Sequence, residues 1–165
     1  MHFDTKIRIV LINRLSKVLG FKGLAGGQSL DILFENKKIK TSQILKMYKM
    51  KTAALFSFSC GAPYILGKKN KKEINFAEEF GGLFGLIFQI TDDLLDEEED
   101  FKSIGKTPGK DKKQGKSTLL SIVNRKKIKN FCLDEIKKFK NKNNKYFIKY
   151  QILEKILYLN IQRLG

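Results

Sequence analysis

The chain has 165 residues, about the length of one domain, and is 42% hydrophobic and 11% aromatic, which supplies a core and excludes a wholly disordered chain. It carries 33 basic against 17 acidic side chains, for a net charge of +16. Only four of the basic residues are arginine (Arg8, Arg14, Arg125 and Arg163). Base and phosphate readers favour arginine forks, so nucleic acid is not the expected partner. The lysines are also scattered along every segment, with no interleaved aromatic platform. The longest apolar stretches, residues 80–91 and 53–67, fall short of the ~20 residues that span a bilayer. No cleavable signal pattern opens the chain, and two cysteines, Cys60 and Cys132, make no disulfide framework. A cytoplasmic location is therefore expected.

In chain order, Ile7, Leu11, Leu15 and Val18 recur at helical spacing over residues 4–19, and Gly20 and Gly23 close that helix. A short second helix is predicted over 24–34. Thr41 or Ser42 caps a longer one through Ile44, Leu45, Tyr48, Leu55 and Phe58, which Pro63 should kink or break. Gly67 and the lysines at 68, 69, 71 and 72 read as a turn. Residues 76–100 form the most hydrophobic helix before it becomes acidic, and Gly81, Gly82 and Gly85 make it narrow enough for a close neighbour. Residues 101–115 read as a loop. Two further helices are predicted, 117–139 and 145–164, split by the Asn/Lys-rich stretch 141–145. No run alternates at period two for long enough to form a strand. The expected class is all-α, as one domain over residues 1–165 with no internal boundary.

The acidic residues carry more information than the basic ones. Seven of the 17 fall in residues 92–100, a window without one basic side chain. Gln89, Asp92 or Asp93, and Asp96 follow helical spacing and share one face. Two carboxylates one turn apart can hold Mg²⁺ while leaving positions for water and substrate phosphate. A solvated helix end is the competing interpretation. The apolar run 84–90 directly before Asp92 weighs against it, because it sets the first carboxylates beside the core.

The segment that follows, residues 103–117, ends in Gly115-Lys116-Ser117 at the start of a predicted helix. It is not a P-loop: five residues rather than four separate Gly109 from Gly115, and no strand precedes it. Lysines and backbone N–H groups near a helix N-terminus would nevertheless favour an anion there.

Four elements in one order carry a family resemblance. Phe88-Gln89-Ile90-Thr91-Asp92-Asp93-Leu94-Leu95-Asp96 resembles the second aspartate-rich motif of the polyprenyl (isoprenyl) diphosphate synthases, the family of farnesyl, geranyl and geranylgeranyl diphosphate synthases. Gly105-Lys106 and Gly115-Lys116-Ser117 are similar to the lysines that follow that motif. Upstream, Gly26-Gly27-Gln28-Ser29-Leu30-Asp31 resembles the family's GGQ-x-x-D element, and Lys51-Thr52 its Lys-Thr pair. The resemblance runs from about residue 4 to residue 116.

The resemblance implies an all-α isoprenoid synthase bundle that condenses isopentenyl diphosphate with an allylic diphosphate, head to tail, releasing pyrophosphate. It implies Mg²⁺ as cofactor, with Asp92 and Asp96 as ligands and Asp93 nearby. Lys51, Lys106 and Lys116 would hold the allylic diphosphate. Thr52 and Gln89 would turn oxygen dipoles toward the developing cation, and Gln28 and Asp31 would support the site. Only the second aspartate-rich motif is present, and the earlier basic residues that bind isopentenyl diphosphate in the family are not. The expectation is therefore the C-terminal half of the pattern, acting as a homodimer or with a complementing N-terminal half. The other expectations are a non-catalytic half-protein or partner subunit of a synthase, and a truncated gene product.

Overall fold

The structure, a computed structural model, describes residues 4–104 and 118–163, with only the backbone course described over 97–104. Every regular element among them is helical, and none is a strand. In order they are α1 (Thr5–Leu19), α2 (Leu24–Phe34), α3 (Thr41–Tyr48), a π-helical turn (Lys49–Ala53), α4 (Ala54–Leu66) and α5 (Lys71–Ile104). A 3₁₀ turn (Leu119–Ser121), α6 (Arg125–Lys142), α7 (Asn144–Lys149) and α8 (Ile152–Gln162) follow. The fold is all-α, as the sequence leads one to expect. Among the described residues, no helix is long and apolar enough to cross a membrane.

Local chemistry explains several boundaries. Asp4 caps α1 by accepting from the Lys6 amide at 2.9 Å. α5 starts five residues before the predicted position because Asn70 and Glu73 form a reciprocal capping box: the Glu73 amide donates to Asn70 Oδ1 at 3.0 Å, and the Asn70 amide to Glu73 Oε2 at 3.3 Å. It also ends later, since 101–104 are helical rather than loop, while 105–117, with the predicted anion loop, lie outside the described residues. Pro63 does not end α4. It has no amide hydrogen to give the carbonyl four residues back, so α4 forgoes that one bond, while its own carbonyl still accepts from the Gly67 amide at 2.9 Å. The predicted helix 145–164 is two helices, divided at Tyr150, whose ψ of 75° leaves the helical region. α6 begins at Arg125, because Asn124 accepts from the Lys127 amide at 3.0 Å.

The described residues form two compact units, one of 4–30 with 45–86 and the other of 31–44 with 87–104 and 118–163. In the first, α1 packs on α4 and presents Ile7, Leu11, Leu15 and Val18, the face that its periodicity marks. None of the four is fully buried, and Ile9 and Ile12 stand 60% and 67% exposed. Phe76, Ala77 and Phe80 of α5 are buried, and Arg14 pairs with Glu78. Gly81 and Gly85 let the α4 backbone come close. A Cβ at Gly85 would stand 2.8 Å from the Cα of Ala53, and one at Gly81 would stand 2.8 Å from the Phe56 carbonyl carbon. Beside this seam the rings of Phe56 and Phe84 meet at 5.2 Å.

The second unit buries Ile87, Ile90 and Leu94 of α5, Ile128, Cys132 and Ile136 of α6, Phe147 of α7, and Leu157 and Ile161 of α8. Each such aliphatic or aromatic side chain contributes ~1.5–3 kcal/mol by leaving water. Phe139 and Phe147 meet edge to face at 5.9 Å. Lys140 Nζ reaches both Glu154 oxygens, at 2.7 and 2.8 Å, and ties α6 to α8.

Candidate functional site

Lys51 and Thr52 lie in the π-helical turn Lys49–Ala53, where the Ala54 amide donates to the Lys49 carbonyl five residues back. The extra residue in this turn shifts the helical phase. Buried Tyr48 is followed at five residues, not three or four, by buried Ala53, leaving Lys51 and Thr52 half-buried. Single π turns inside α-helices are frequent at functional sites.

The reason for the Gly26-Gly27 pair lies against this turn. A Cβ on Gly27 would sit 2.6 Å from the Lys51 Cα and 2.8 Å from the Met50 carbonyl carbon. A Cβ on Gly26 would stand 3.1 Å from the Met50 Cε. α2 therefore rests directly on the backbone that carries Lys51, and Gly85 of α5 rests on Ala53 in the same turn. The sequence reading treats Gly26-Gly27 only as part of a motif and misses this packing role. The five-residue step from Tyr48 to Ala53 is the signal that could have revealed the turn. Gln28 and Asp31 are one turn apart on α2, Gln28 exposed and Asp31 half-buried.

On α5 the second group is arranged around a core-facing side. Ile87, Ile90, Thr91 and Leu94 are buried, while Phe88, Gln89, Asp92 and Asp93 are half-buried and Asp96 is exposed. Gln89 Nε2 donates to Asp93 Oδ1 at 2.9 Å, which orients both side chains. Thr91 is fully buried, and its hydroxyl is satisfied by the Phe88 carbonyl at 3.0 Å. Asp92 and Asp96 lie one turn apart on the more open side. Asp92 Oδ1 faces the Arg163 guanidinium at 3.6 Å, and the same guanidinium lies over the Phe88 ring, 5.6 Å from its centroid. Sequence reasoning gave Arg163 no role, because 70 intervening residues hide the contact. Lys106 and Lys116 lie outside the described residues.

The donor set suits a hard divalent cation. Carboxylate oxygens match Mg²⁺, which keeps several waters and takes one or two protein carboxylates. Among the described residues, no three His, Cys, Asp or Glu side chains converge on one point. Asp92 and Asp96 would thus supply two positions and leave the others to water and phosphate oxygens. Cys60 and Cys132 stand apart from this chemistry: burial raises both thiols, and burial together with nearby Glu135 pushes Cys132 up to about 12.

The family model for polyprenyl synthetase matches residues 6–155. The chain belongs to the polyprenyl synthetase family. Among its relatives, farnesyl diphosphate synthase of Micrococcus luteus is 33% identical over 133 residues, covering 81% of this chain and 46% of that protein. The heterodimeric geranylgeranyl pyrophosphate synthase large subunit 2 of Arabidopsis thaliana is 32% identical, over 73% of this chain and 33% of its own length. Among solved structures, a geranyltransferase from Helicobacter pylori complexed with magnesium and isoprenyl diphosphate superposes with a TM-score of 0.73 at 27% identity. That match covers 98% of this chain and 53% of the other. The chain thus spans half or less of the length of these curated relatives.

Proposed function

We propose that this chain provides the C-terminal half of a polyprenyl diphosphate synthase site, a Mg²⁺-dependent prenyltransferase of isoprenoid biosynthesis. The reaction condenses isopentenyl diphosphate with an allylic diphosphate, head to tail. The allylic C–O bond breaks, pyrophosphate leaves with the electron pair, the double bond of isopentenyl diphosphate attacks the resulting carbocation, and the new tertiary cation loses a proton to the released pyrophosphate, forming the product's double bond. One observation carries this reading: Asp92 and Asp96 stand one turn apart on α5, directly after buried Ile87, Ile90 and Thr91, in a chain of this family.

Negative charge grows on the leaving pyrophosphate, so the site must concentrate positive charge there. Mg²⁺ held by Asp92 and Asp96, with Asp93 beside them, would supply part of it. Lys51, raised on the π-helical turn, binds the allylic diphosphate together with Lys106 and Lys116. Thr52 and Gln89 direct oxygen dipoles to the allylic carbon. The hydrogen bond from Gln89 Nε2 to Asp93 favours this role, because it turns the amide nitrogen toward the carboxylate and away from the cation. Gln28 and Asp31, on α2, take a supporting role.

Calorimetric titration with an allylic diphosphate, with and without Mg²⁺, tests the reading. Mg²⁺-dependent binding that is lost in Asp92→Asn/Asp96→Asn is the expected result. Binding indifferent to Mg²⁺ and to both substitutions would remove the assignment.

A second reading is a subunit that completes its site with another polypeptide. One relative above favours it, since it is described as the large subunit of a heterodimeric synthase. The sequence also holds a single DD-x-x-D, whereas the resembled family uses two.

A further inference from the structure

We infer that Arg163 is the counter-ion of Asp92 in the metal-free protein, and that a divalent cation at Asp92 must displace it. The inference rests on the metal reading proposed for Asp92 and Asp96, and extends it to a residue outside every motif.

Arg163 follows the last residue of α8, and its placement is built rather than accidental. Leu157, Asn160 and Ile161 are all buried, which holds the final turn of α8 in place and starts the arginine from a firm base. Phe88 and Asp92 are one turn apart on α5, so their side chains make a ledge with an aromatic face and a carboxylate. The guanidinium uses both, lying 5.6 Å from the ring centroid and 3.6 Å from Asp92 Oδ1. A planar, delocalised cation suits such a ledge, and a compact ammonium suits it less well.

The same carboxylate cannot serve two cations without cost. Mg²⁺ binds carboxylate oxygen at about 2.0–2.1 Å. A guanidinium that faced the same carboxylate group would then sit a few ångströms from a doubly charged ion. Linkage makes the competition reciprocal: Arg163 weakens metal binding, and metal loosens Arg163 by the same factor. Because Arg163 ends α8, its release removes one tether from the terminal turn that Leu157 and Ile161 also hold, and so loosens it. The metal state of the aspartates is thereby communicated to the end of α8.

Two measurements on the full chain test this. Mn²⁺ serves as the paramagnetic probe, with free ion followed by electron paramagnetic resonance in the wild type, Arg163→Gln, Arg163→Lys and Asp92→Asn/Asp96→Asn. Arg163→Gln should bind Mn²⁺ about two- to fivefold more tightly, the range set by a solvent-exposed ion pair. Arg163→Lys, which keeps the charge, should fall between Gln and wild type. Amide hydrogen exchange over residues 158–163 should quicken when Mg²⁺ is added to the wild type and be unaffected by Mg²⁺ in Arg163→Gln. Equal Mn²⁺ affinity in wild type and Arg163→Gln, or exchange in that turn insensitive to Mg²⁺, overturns the inference alone. Wild-type Mn²⁺ binding that is absent, or unchanged in Asp92→Asn/Asp96→Asn, overturns the metal reading and the inference together.

Discussion

Lys68 has φ of 52°, in the left-handed region that costs a non-glycine residue about 1–2 kcal/mol. Gly67 beside it takes φ of −78°, so the strain falls on the lysine and not on the glycine. Lys68→Gly should therefore stabilise the chain by about 0.5–1 kcal/mol, read as a higher urea midpoint at unchanged slope. Cys132 supplies a pH dependence. It is 2% exposed, and burial, followed by the charge of Glu135, pushes its thiol from an ordinary value of 9.0 up to about 12. The native state therefore keeps the proton while the unfolded chain loses it. The contribution is complete below pH 9 and is lost as pH rises from 9 toward 12, by about 1.4 kcal/mol per unit. Denaturation as a function of pH should show this decline in the wild type in excess of Cys132→Ala. Parallel curves would refute it.

At the scale of elements, the Lys-Thr pair owes its position to the packing of α2 and α5 on one π-helical turn. Gly27→Ala tests that arrangement. The added methyl would meet the Lys51 Cα at 2.6 Å, and the obstacle is backbone, which cannot rotate away. Stability should fall by about 1–3 kcal/mol, as overpacking does. If the turn positions Lys51 as proposed, allylic diphosphate affinity should fall as well, in protein that circular dichroism shows to be folded. Stability loss without any change in affinity would make the turn a packing device only. Little of this was legible beforehand. Periodicity located α1 and α2 closely, and the inward face of α1 agrees residue for residue. The π turn escaped because it breaks the very period used to find helices, and the early start of α5 escaped because its capping box lies in a polar stretch.

For the whole molecule, the decisive quantity is how much of a synthase the chain spans. Half or less of the length of its relatives is represented, and one aspartate-rich motif stands where the resembled family has two. Two carboxylates leave most of the coordination of Mg²⁺ to water and substrate, which permits binding more readily than it permits ionisation of the allylic bond. The purified chain should accordingly form little or no product from isopentenyl and allylic diphosphates, with turnover arising on mixing with a polypeptide that carries the other aspartate-rich motif. Robust Mg²⁺-dependent synthesis by the chain alone, measured with radiolabelled isopentenyl diphosphate, would refute this.

The sequence by itself determined the all-α class, the family and the aspartates of α5, because these depend on residue type and short-range spacing along a helix. The Gln89–Asp93 hydrogen bond follows from the same i, i+4 rule. What tertiary structure alone decided is which distant residues meet. Gly27 against Lys51, and Arg163 against Asp92 and Phe88, are separated by many turns of chain, and no local period records them. Such contacts are set by how buried faces pack, as Leu157 and Ile161 do in carrying Arg163 to its place.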